Sequence, residues 1–358
     1  MPSLNPFTDI PVLMTSEEII EYAHNRSVRK SAKSPVRMSK LEKTRIREIA
    51  RTQEFTKQVR AKLKATVESF PSLDRLHPFY LELTEILIGV DKLKQALGAI
   101  FNCIGPIDRI ADSQIAAMKR ADELGEIKKL RSATKGRISS IVRGTANNLD
   151  TVIEARKVLS GLPGVNPSSP TVVCAGFPNV GKSTLVKAVS TAEPEIAYYP
   201  FTTREVIIGH MTVDNQVIQV VDTPGILDRP MSQRNQIERQ AIAALKYLAS
   251  VIIFMMDPSE ACGWTFDEQI HLHDEVRRMF PVNPVIVVFN KVDITPQDRL
   301  EAARARIPGA REIVASQGIG LQELMREVIE AVDLSSLQEV IDAYLSALPK
   351  SESHSSDA

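Results

Sequence analysis

Apolar residues recur at three- and four-residue spacing through the first 160 residues of the 358-residue chain, which is the pattern of amphipathic helices. Thr15 followed by Glu18 predicts a capping box at the start of a first helix. Ser39 predicts the cap of a second, longer helix, and Pro71 should end it. This part of the chain is therefore expected to be all-helical.

Two further helices complete the predicted helical region. The first covers residues 73–103 and should end at Gly105-Pro106, and the second covers 107–159, where isolated glycines are the only interruptions of the apolar pattern. Long helices joined by short connections pack as antiparallel neighbours. We therefore expect an antiparallel helical bundle over residues 1–160.

The pattern changes after a segment rich in glycine, proline and serine, which we interpret as a linker. Beyond it, short β-rich runs alternate with helical patterns, which is typical of a mostly parallel sheet with helices on both faces. Residues 206–213 and 216–221 predict one antiparallel hairpin. The expected organisation is a basic helical bundle (1–160), a linker (161–169), an α/β domain (170–333), a C-terminal helix (334–349) and a disordered tail (350–358).

Charge divides along the same boundary. Residues 1–165 hold 28 lysines and arginines against 19 aspartates and glutamates, whereas the remainder holds 16 against 25. Residues 26–64 alone contain 14 basic and 3 acidic residues, which suits a polyanion such as RNA, the alternative being a solvated helix face. Three widely spaced cysteines argue against a disulfide framework, and no apolar run is long enough to span a bilayer.

A phosphate-binding motif opens the α/β domain. Residues 176–183 read Gly-Phe-Pro-Asn-Val-Gly-Lys-Ser, which fits G-x-x-x-x-G-K-[ST], and they lie between an apolar strand and a helix. In this motif backbone amides surround the phosphates, Lys182 reaches the β- and γ-phosphates, and the Ser183 hydroxyl binds Mg²⁺. The predicted phosphate-binding residues are Pro178, Asn179, Val180, Gly181, Lys182, Ser183 and Thr184.

Two later segments supply the expected magnesium and γ-phosphate contacts. Asp222-Thr-Pro-Gly225 follows a strand, so the Asp222 carboxylate can hold Mg²⁺ and the Gly225 N–H can meet the γ-phosphate. Between the phosphate loop and Asp222, Thr203 can close on Mg²⁺ and the γ-phosphate and relax after hydrolysis. Either segment alone would also fit an ordinary turn or polar loop. The predicted metal ligands are Ser183, Thr203 and Asp222.

The next boxes select the base. Asn290-Lys-Val-Asp293 follows another strand, and the Asp293 carboxylate can accept from guanine N1–H and from its N2 amino group, an arrangement that adenine does not match. Lys291 can lie along the base, and Asn290 can tie neighbouring loops together. Ala315-Ser316 stands where a backbone N–H would meet guanine O6. The α/β domain is thus predicted to be a P-loop GTPase domain that binds GTP and GDP.

These boxes resemble those of the Obg-related nucleolar G proteins, the Nog family. The resemblance rests on the phosphate-loop sequence, on Tyr-Pro-Phe-Thr-Thr at 199–203, on Asp-Thr-Pro-Gly-Ile-Leu at 222–227 and on Asp-Pro-Ser-Glu-Ala-Cys-Gly at 257–263. It extends to Asn5-Pro-Phe and Arg109-Ile-Ala-Asp112 in the helical region, and so covers nearly the whole chain. The long C-terminal extension of the eukaryotic relatives has no counterpart here, so the compact archaeal form of the family is expected.

The resemblance implies a function and partners. It implies that the chain binds rRNA and precursors of the large ribosomal subunit, and that ribosomal assembly proteins are further partners. No membrane partner is expected, because the sequence has no spanning segment. The expected location is cytoplasmic and ribosome-associated, and nucleolar in the eukaryotic relatives. Residues 257–263 are expected to form a family-specific contact surface, the alternative being a plain strand end and turn.

The resemblance also bears on how GTP would be hydrolysed. Ile226 stands where other GTPases use a glutamine to orient the attacking water, and its side chain is unable to do so. The phosphate loop and Thr203 look like those of GTPases in which an asparagine helps to bind K⁺, which implies this role for Asn179, although Asn179 could instead only stabilise the loop. The expected catalytic residues are Asn179, Lys182, Thr203 and Gly225, and turnover is expected to be slow.

Two other functions fit parts of the sequence. A scaffold that binds GTP but barely hydrolyses it is compatible with Ile226. A membrane-remodelling or transport GTPase would also combine helices with a G domain, but the chain has no strongly amphipathic basic-aromatic helix to support it.

Overall fold

The computed structural model describes residues 5–30, 38–162, 164–191, 193–198, 205–213, 216–222, 227–230, 234, 242 and 244–332. These residues form two compact units. Of the described residues, the helical unit contains those within 6–75 and 87–160, and the second unit contains Asn5, 76–86 and those within 161–332. No helix in the described ranges combines the length and the apolar character that a membrane-spanning helix requires.

Six helices build the helical unit. Their bounds are α1 Ser16–Arg29, α2 Lys40–Glu68, α4 Val90–Asn102, α5 Ile104–Arg120, α6 Leu124–Gly144 and α7 Ala146–Leu159. The long helix α2 contacts α1, α4, α5 and α6, and it buries Phe55, Val59 and Leu63 among them. This helix is therefore the centre of the unit's core.

The predicted capping box at Thr15 and the predicted cap at Ser39 are confirmed, and Ser39 also forms a capping box. Thr15 and Ser39 cap α1 and α2, and in each case the side chain three residues on returns a hydrogen bond to the capping residue's own N–H. Helix α2 ends at Glu68, before Pro71.

The prediction of one helix over 73–103 is wrong. A short 3₁₀ turn at Leu73–Arg75 and helix α3 (Pro78–Leu87) precede α4, because Gly89, at φ 88°, adopts a left-handed conformation that ends α3 and starts α4. The predicted break at Gly105-Pro106 is also misplaced. Both residues lie in the first turn of α5, where proline is tolerated because the N–H it lacks would have no partner within the helix.

The single helix predicted over 107–159 is likewise wrong. The chain leaves helical geometry at Ala121–Glu123 and again at Thr145, which separates α5 from α6 and α6 from α7. Gly136, by contrast, lies inside α6 without interrupting it.

The second unit is built on one seven-stranded sheet in the order β2-β3-β4-β1-β5-β6-β7. The strands are β1 Thr171–Ala175, β2 Glu195–Tyr198, β3 Glu205–Val213, β4 Gln216–Asp222, β5 Val251–Met256, β6 Val285–Phe289 and β7 Arg311–Glu312. Strands β4, β1, β5, β6 and β7 are parallel, whereas β2–β3 and β3–β4 pair antiparallel, which confirms the predicted hairpin. Among the described residues, the helices of this unit include α3, α8 Lys182–Val189, α9 Phe266–Met279, α10 Gln297–Arg306 and α11 Leu321–Ala331.

The central strands β1 and β5 are buried at every position, as expected of parallel strands covered on both faces. Helix α3 joins this unit through the buried Tyr80 hydroxyl, which donates to the carbonyl oxygen of Val165 at 2.9 Å. Because β4, β1, β5 and β6 are parallel, their carboxyl ends lie on the same side of the sheet, where ligands of open α/β sheets bind. The predicted fold class, a helical bundle followed by a P-loop α/β domain, is confirmed. The predicted C-terminal helix and tail lie outside the described residues.

Candidate functional site

The phosphate loop connects β1 to α8 through a backbone that requires small residues. Gly176 has φ 131°, and a Cβ there would lie 2.4 Å from the backbone oxygen of Met255. Gly181 has φ 109°, and a Cβ there would lie 2.2 Å from Nδ2 of Asn290. Both positions therefore exclude any side chain, because the conformation and the space both favour glycine. Asn179, between them, adopts φ 65°.

Lys182 begins α8 with a buried side chain that is only 6% exposed. Its ammonium donates to the carbonyl oxygens of Gly176 and Phe177, at 2.8 and 2.9 Å. The cation is thus held within the loop, where the low dielectric strengthens its interaction with an incoming anion.

Ser183 and Asp222 meet at the ends of α8 and β4. The Ser183 hydroxyl donates to Oδ2 of Asp222, whose carboxylate is 1% exposed. Burial raises the pKa of Asp222; Lys182 and the Ser183 hydroxyl partly offset this, and the nearby Asp228 adds to it.

This pair fits a magnesium ion. Oδ1 of Asp222 is buried and has no hydrogen-bond partner among the described residues. A hydroxyl and a carboxylate are the hard oxygen donors that Mg²⁺ prefers, and Mg²⁺ is usually held by few protein groups together with phosphates and water. Accordingly, the described part of the chain contains no cluster of three or more His, Cys, Asp or Glu residues that would form a metal cage of its own.

Asn290 connects the phosphate loop to the loop after β7. Its buried amide donates to the carbonyl oxygen of Val180 at 2.8 Å, and its Oδ1 accepts from the N–H of Ala315 at 3.0 Å. The same residue is fixed by its own N–H, which donates to Met256 at 2.8 Å. Three loops are therefore held together by one side chain and its backbone.

The residues that follow Asn290 face the other end of the site. Lys291 has φ 62°, and its ammonium lies 2.7 Å from Oδ2 of the fully buried Asp257. The exposed Asp293 carboxylate accepts from Nε2 of Gln317 at 3.2 Å. The carboxylate therefore remains open to solvent on the side where a base would approach.

A cavity of about 510 Å³ lies between these loops. Of the predicted site residues, it is lined by Pro178, Asn179, Gly181, Lys182, Ser183, Thr184, Asp222, Asn290, Lys291, Asp293 and Ser316. Val180 and Ala315 are buried beside it and contribute backbone groups to Asn290. Thr203 and Gly225, as well as Ile226, lie outside the described residues.

Comparisons with known proteins address the family. A family model described as the NOG1 N-terminal helical domain matches residues 7–166, and one described as Nucleolar GTP-binding protein 1 (NOG1) matches residues 236–293. The chain is 36% identical over 300 residues to an uncharacterised protein of Methanocaldococcus jannaschii, an alignment that covers 83% of each chain. The chain belongs to the NOG1 family. This membership confirms the resemblance found in the sequence.

NOG1 proteins of eukaryotes are longer. Nucleolar GTP-binding protein 1 of Drosophila melanogaster is 35% identical over 311 residues, which is 87% of this chain but 48% of the fly protein. The chain thus spans about half the length of the curated eukaryotic relatives it matches. The crystal structure of nucleolar GTP-binding protein 1 from Plasmodium falciparum superimposes with a TM-score of 0.43 at 29% identity, covering 51% of this chain and 96% of that one.

The NOG1 site also contains residues that the sequence boxes did not single out. Asp228, Ile294 and Val314 line the cavity, and Asp228 is buried close enough to Asp222 to affect its pKa. Asp228 and Ile294 follow their boxes by three residues and by one, and Val314 precedes its box by one. This adjacency is the signal in the sequence that could have found them.

Proposed function

We propose that this NOG1 chain is a magnesium-dependent GTPase that hydrolyses GTP to GDP and phosphate and uses the two states to change its grip on precursors of the large ribosomal subunit. The observation that carries the proposal is the cavity in which Lys182, the Ser183–Asp222 pair and Asp293 converge. Its two ends offer groups for different parts of one ligand, a triphosphate and a guanine base.

The phosphate end supplies positive charge and donors. Lys182 already donates to loop carbonyls, so its ammonium is oriented before a nucleotide arrives and needs little rearrangement to reach the β- and γ-phosphates. The N-terminus of α8 adds backbone amides that point toward the same anion.

Ser183 and Asp222 would hold Mg²⁺, and Thr203 would join them. The bound ion would neutralise charge on the phosphate oxygens. The ion would also give the buried Asp222 oxygen a partner, which would offset the cost of burying that oxygen.

The base end supplies the selectivity. A carboxylate at Asp293 accepts two hydrogen bonds from guanine, whereas adenine would leave it facing an acceptor and without donors. Asn290 keeps the loop that carries this carboxylate at a fixed distance from the phosphate loop, because it bonds to Val180 and Ala315 at once.

Asn179 is the residue we propose as a K⁺ ligand. Its side chain is exposed on the cavity wall, and among the described residues it has no hydrogen-bond partner, so a purely loop-stabilising role has no contact to support it. A monovalent cation at this place would offset the charge that develops on the γ-phosphate during attack by water, where other GTPases use an arginine.

The helical unit is proposed to bind rRNA. It holds 28 basic and 17 acidic residues, and several of the basic ones form exposed pairs that contribute little stability, such as Lys64–Glu68. Phosphates compete readily with such exposed carboxylates. The observed affinity for RNA should therefore fall steeply as salt rises.

The test is GTP hydrolysis by the purified chain in K⁺ and in Na⁺ buffer, with and without large ribosomal subunits, together with an Asn179→Ala variant. We expect faster turnover in K⁺ than in Na⁺, loss of that difference in Asn179→Ala, and a further increase with subunits. Asn283→Ala is the matched control, because this asparagine is outside the lining of the cavity and its amide donates to the carbonyl oxygen of Ala249.

Tight GTP binding without turnover under all of these conditions would refute the enzymatic half of the proposal and leave a GTP-binding scaffold. Equal binding of GTP and ATP would refute the guanine-specific site itself. Turnover that is indifferent to ribosomal subunits and to rRNA would refute the proposed partner alone.

A further inference from the structure

The loop between β5 and α9, residues 257–264, contacts Lys291 at the base end of the site and Phe177 in the phosphate loop. We call it the brace loop. None of the nucleotide-binding boxes includes it, yet it holds a fully buried carboxylate and the only tryptophan of the chain.

The buried carboxylate belongs to Asp257 and has a full set of donors. Oδ1 accepts from the N–H of Ser259 at 3.0 Å and from its hydroxyl, and Oδ2 accepts from the N–H of Cys262 at 2.9 Å and from the Lys291 ammonium at 2.7 Å. A buried charge is stabilised only when its lone pairs are satisfied in this way. Lys291 is the one cation among these donors, so the pair fixes the lysine side chain whose stem faces the base end of the cavity.

The backbone of Asp257 is fixed as firmly as its side chain. The amide of Gln269, on α9, accepts from the Asp257 N–H at 2.7 Å and donates to the Asp257 carbonyl oxygen at 3.0 Å. The same amide reaches the carbonyl oxygen of Trp264 at 3.1 Å. Both ends of the brace loop are thus tied to one buried side chain.

Trp264 extends the brace loop to the phosphate end. Its ring stacks on Phe177, with centroids 4.3 Å apart and planes 20° from parallel. Phe177 follows the first glycine of the phosphate loop, and its carbonyl oxygen accepts from Lys182. A displacement of the brace loop would therefore reach the loop that holds the phosphate-binding lysine.

We propose that Asp257 positions Lys291 for guanine recognition, and that the brace loop couples the base end of the cavity to the phosphate loop through the Trp264–Phe177 stack. The inference rests on the proposed guanine-nucleotide site and adds to it a residue that determines base affinity from outside the cavity. It also gives residues 257–263 an internal role, and the contact surface expected from the sequence stays a prediction.

The first experiment measures the affinity of the full chain for GDP in Mg²⁺ buffer. Asp257→Asn removes the charge that holds Lys291, and we expect affinity to fall by about tenfold or more, the usual effect of losing a hydrogen bond to a charged group. Asp267→Asn is the matched control. This aspartate is 80% exposed and pairs with Arg306 outside the cavity, so its loss should leave GDP affinity unchanged.

A double variant separates positioning from general damage. If Asp257 acts through Lys291, then Asp257→Asn combined with Lys291→Met binds GDP within about twofold of Lys291→Met alone, because the two changes remove one interaction. An equal loss on both backgrounds would overturn the positioning role.

Trp264 emission tests the coupling without relying on Asp257→Asn. Because Trp264 is the only tryptophan, its emission should change when GDP saturates the site, and Trp264→Phe provides the blank. We expect this change to shrink by at least half in Phe177→Leu and in Lys291→Met at saturating GDP. A full change in Lys291→Met would overturn the coupling. Failure of the wild-type chain to bind GDP would overturn this inference together with the proposed function, whereas normal GDP binding by both wild type and Asp257→Asn would overturn the inference alone.

Discussion

Replacing Asn290 with alanine should destabilise the second unit and loosen the nucleotide site together. The side chain is 4% exposed and makes two hydrogen bonds, to the carbonyl oxygen of Val180 at 2.8 Å and from the N–H of Ala315 at 3.0 Å. Alanine leaves both backbone groups buried without that partner. Each unsatisfied group costs roughly 1–3 kcal/mol, so the unit should lose about 2–6 kcal/mol of unfolding free energy.

Denaturant unfolding followed by Trp264 emission measures this loss, because the only tryptophan lies in the same unit as Asn290. The chain has two compact units, so a local probe is needed to avoid mixing two transitions. A loss of this size corresponds to a fall of about 5–15 °C in the midpoint of thermal unfolding. GDP affinity should fall in the same variant at temperatures where it remains folded.

Asn283→Ala provides the matched control for this prediction. The Asn283 amide makes one hydrogen bond, to the carbonyl oxygen of Ala249 at 2.6 Å, and is only half-buried. We expect a loss of about 1 kcal/mol and unchanged GDP affinity. If Asn290→Ala cost no more than Asn283→Ala, the view that Asn290 fastens the site's loops would be refuted.

Three further predictions concern backbone conformation and pH. Gly181→Ala should abolish GDP binding because its Cβ would lie 2.2 Å from Asn290, whereas Gly309→Ala, at φ 88° in open space, should cost about 1 kcal/mol of stability and leave binding intact. Asp222→Asn should stabilise the nucleotide-free chain at neutral pH. Burial raises the pKa of Asp222, so the stability that this residue contributes is present at low pH and is lost as pH rises. Asparagine does not ionise, so the variant avoids this loss of stability, and it also loses Mg²⁺-dependent GTP binding. Burial lowers the pKa of His77 to about 4. The free energy of unfolding should therefore decline by about 2 kcal/mol, allowing for partial exposure, as pH falls from 6.5 to 4. Unfolding of His77→Asn, measured across the same pH range, should not show this decline.

The sequence located the cavity's residues because each box fixes a local backbone. A glycine that must adopt φ 109°, followed by a lysine and a serine at the start of a helix, permits few structures other than a phosphate loop. The base-reading box is recognisable for the same reason, since Asn290 and Asp293 both follow the end of a parallel strand. The alternation of apolar runs and helices likewise predicted the sheet.

The helix boundaries were harder to predict from the sequence, because the apolar periodicity continues across the breaks between helices. The stripe that α3 and α4 share is interrupted only by Gly89, and a glycine within a helical pattern is usually tolerated. At the break between α6 and α7 the sequence offers Gly144, just before Thr145, but Gly136 lies inside α6 and shows that a glycine in this stretch need not end a helix. The direction of a helix after such a turn depends on which neighbour it packs against, and that contact is made with residues far away in sequence.

The Asp257–Lys291 pair was hidden from the sequence for a related reason. Asp257 is separated from Lys291 by 34 residues and is followed by proline and serine, a combination that also fits a simple turn. Only the parallel pairing of β5 with β6 brings the ends of these strands together. A carboxylate at the end of one strand then meets a lysine just past the end of the next.

Backbone strain in the second unit occurs in the same loops that its hydrogen bonds connect. In the described part of the chain, the non-glycine residues with positive φ are Asn179, Glu260 and Lys291, and they lie in the phosphate loop, the brace loop and the base-reading loop. Left-handed conformations cost free energy for such residues and persist where surrounding contacts impose them. Here those contacts run from loop to loop: Lys291 is held by Asp257, and Glu260 accepts from the N–H of Phe266 at 2.8 Å and from Arg299 at 3.1 Å. Contacts within the chain itself therefore shape the cavity, and a change that frees one loop should be felt by the other two.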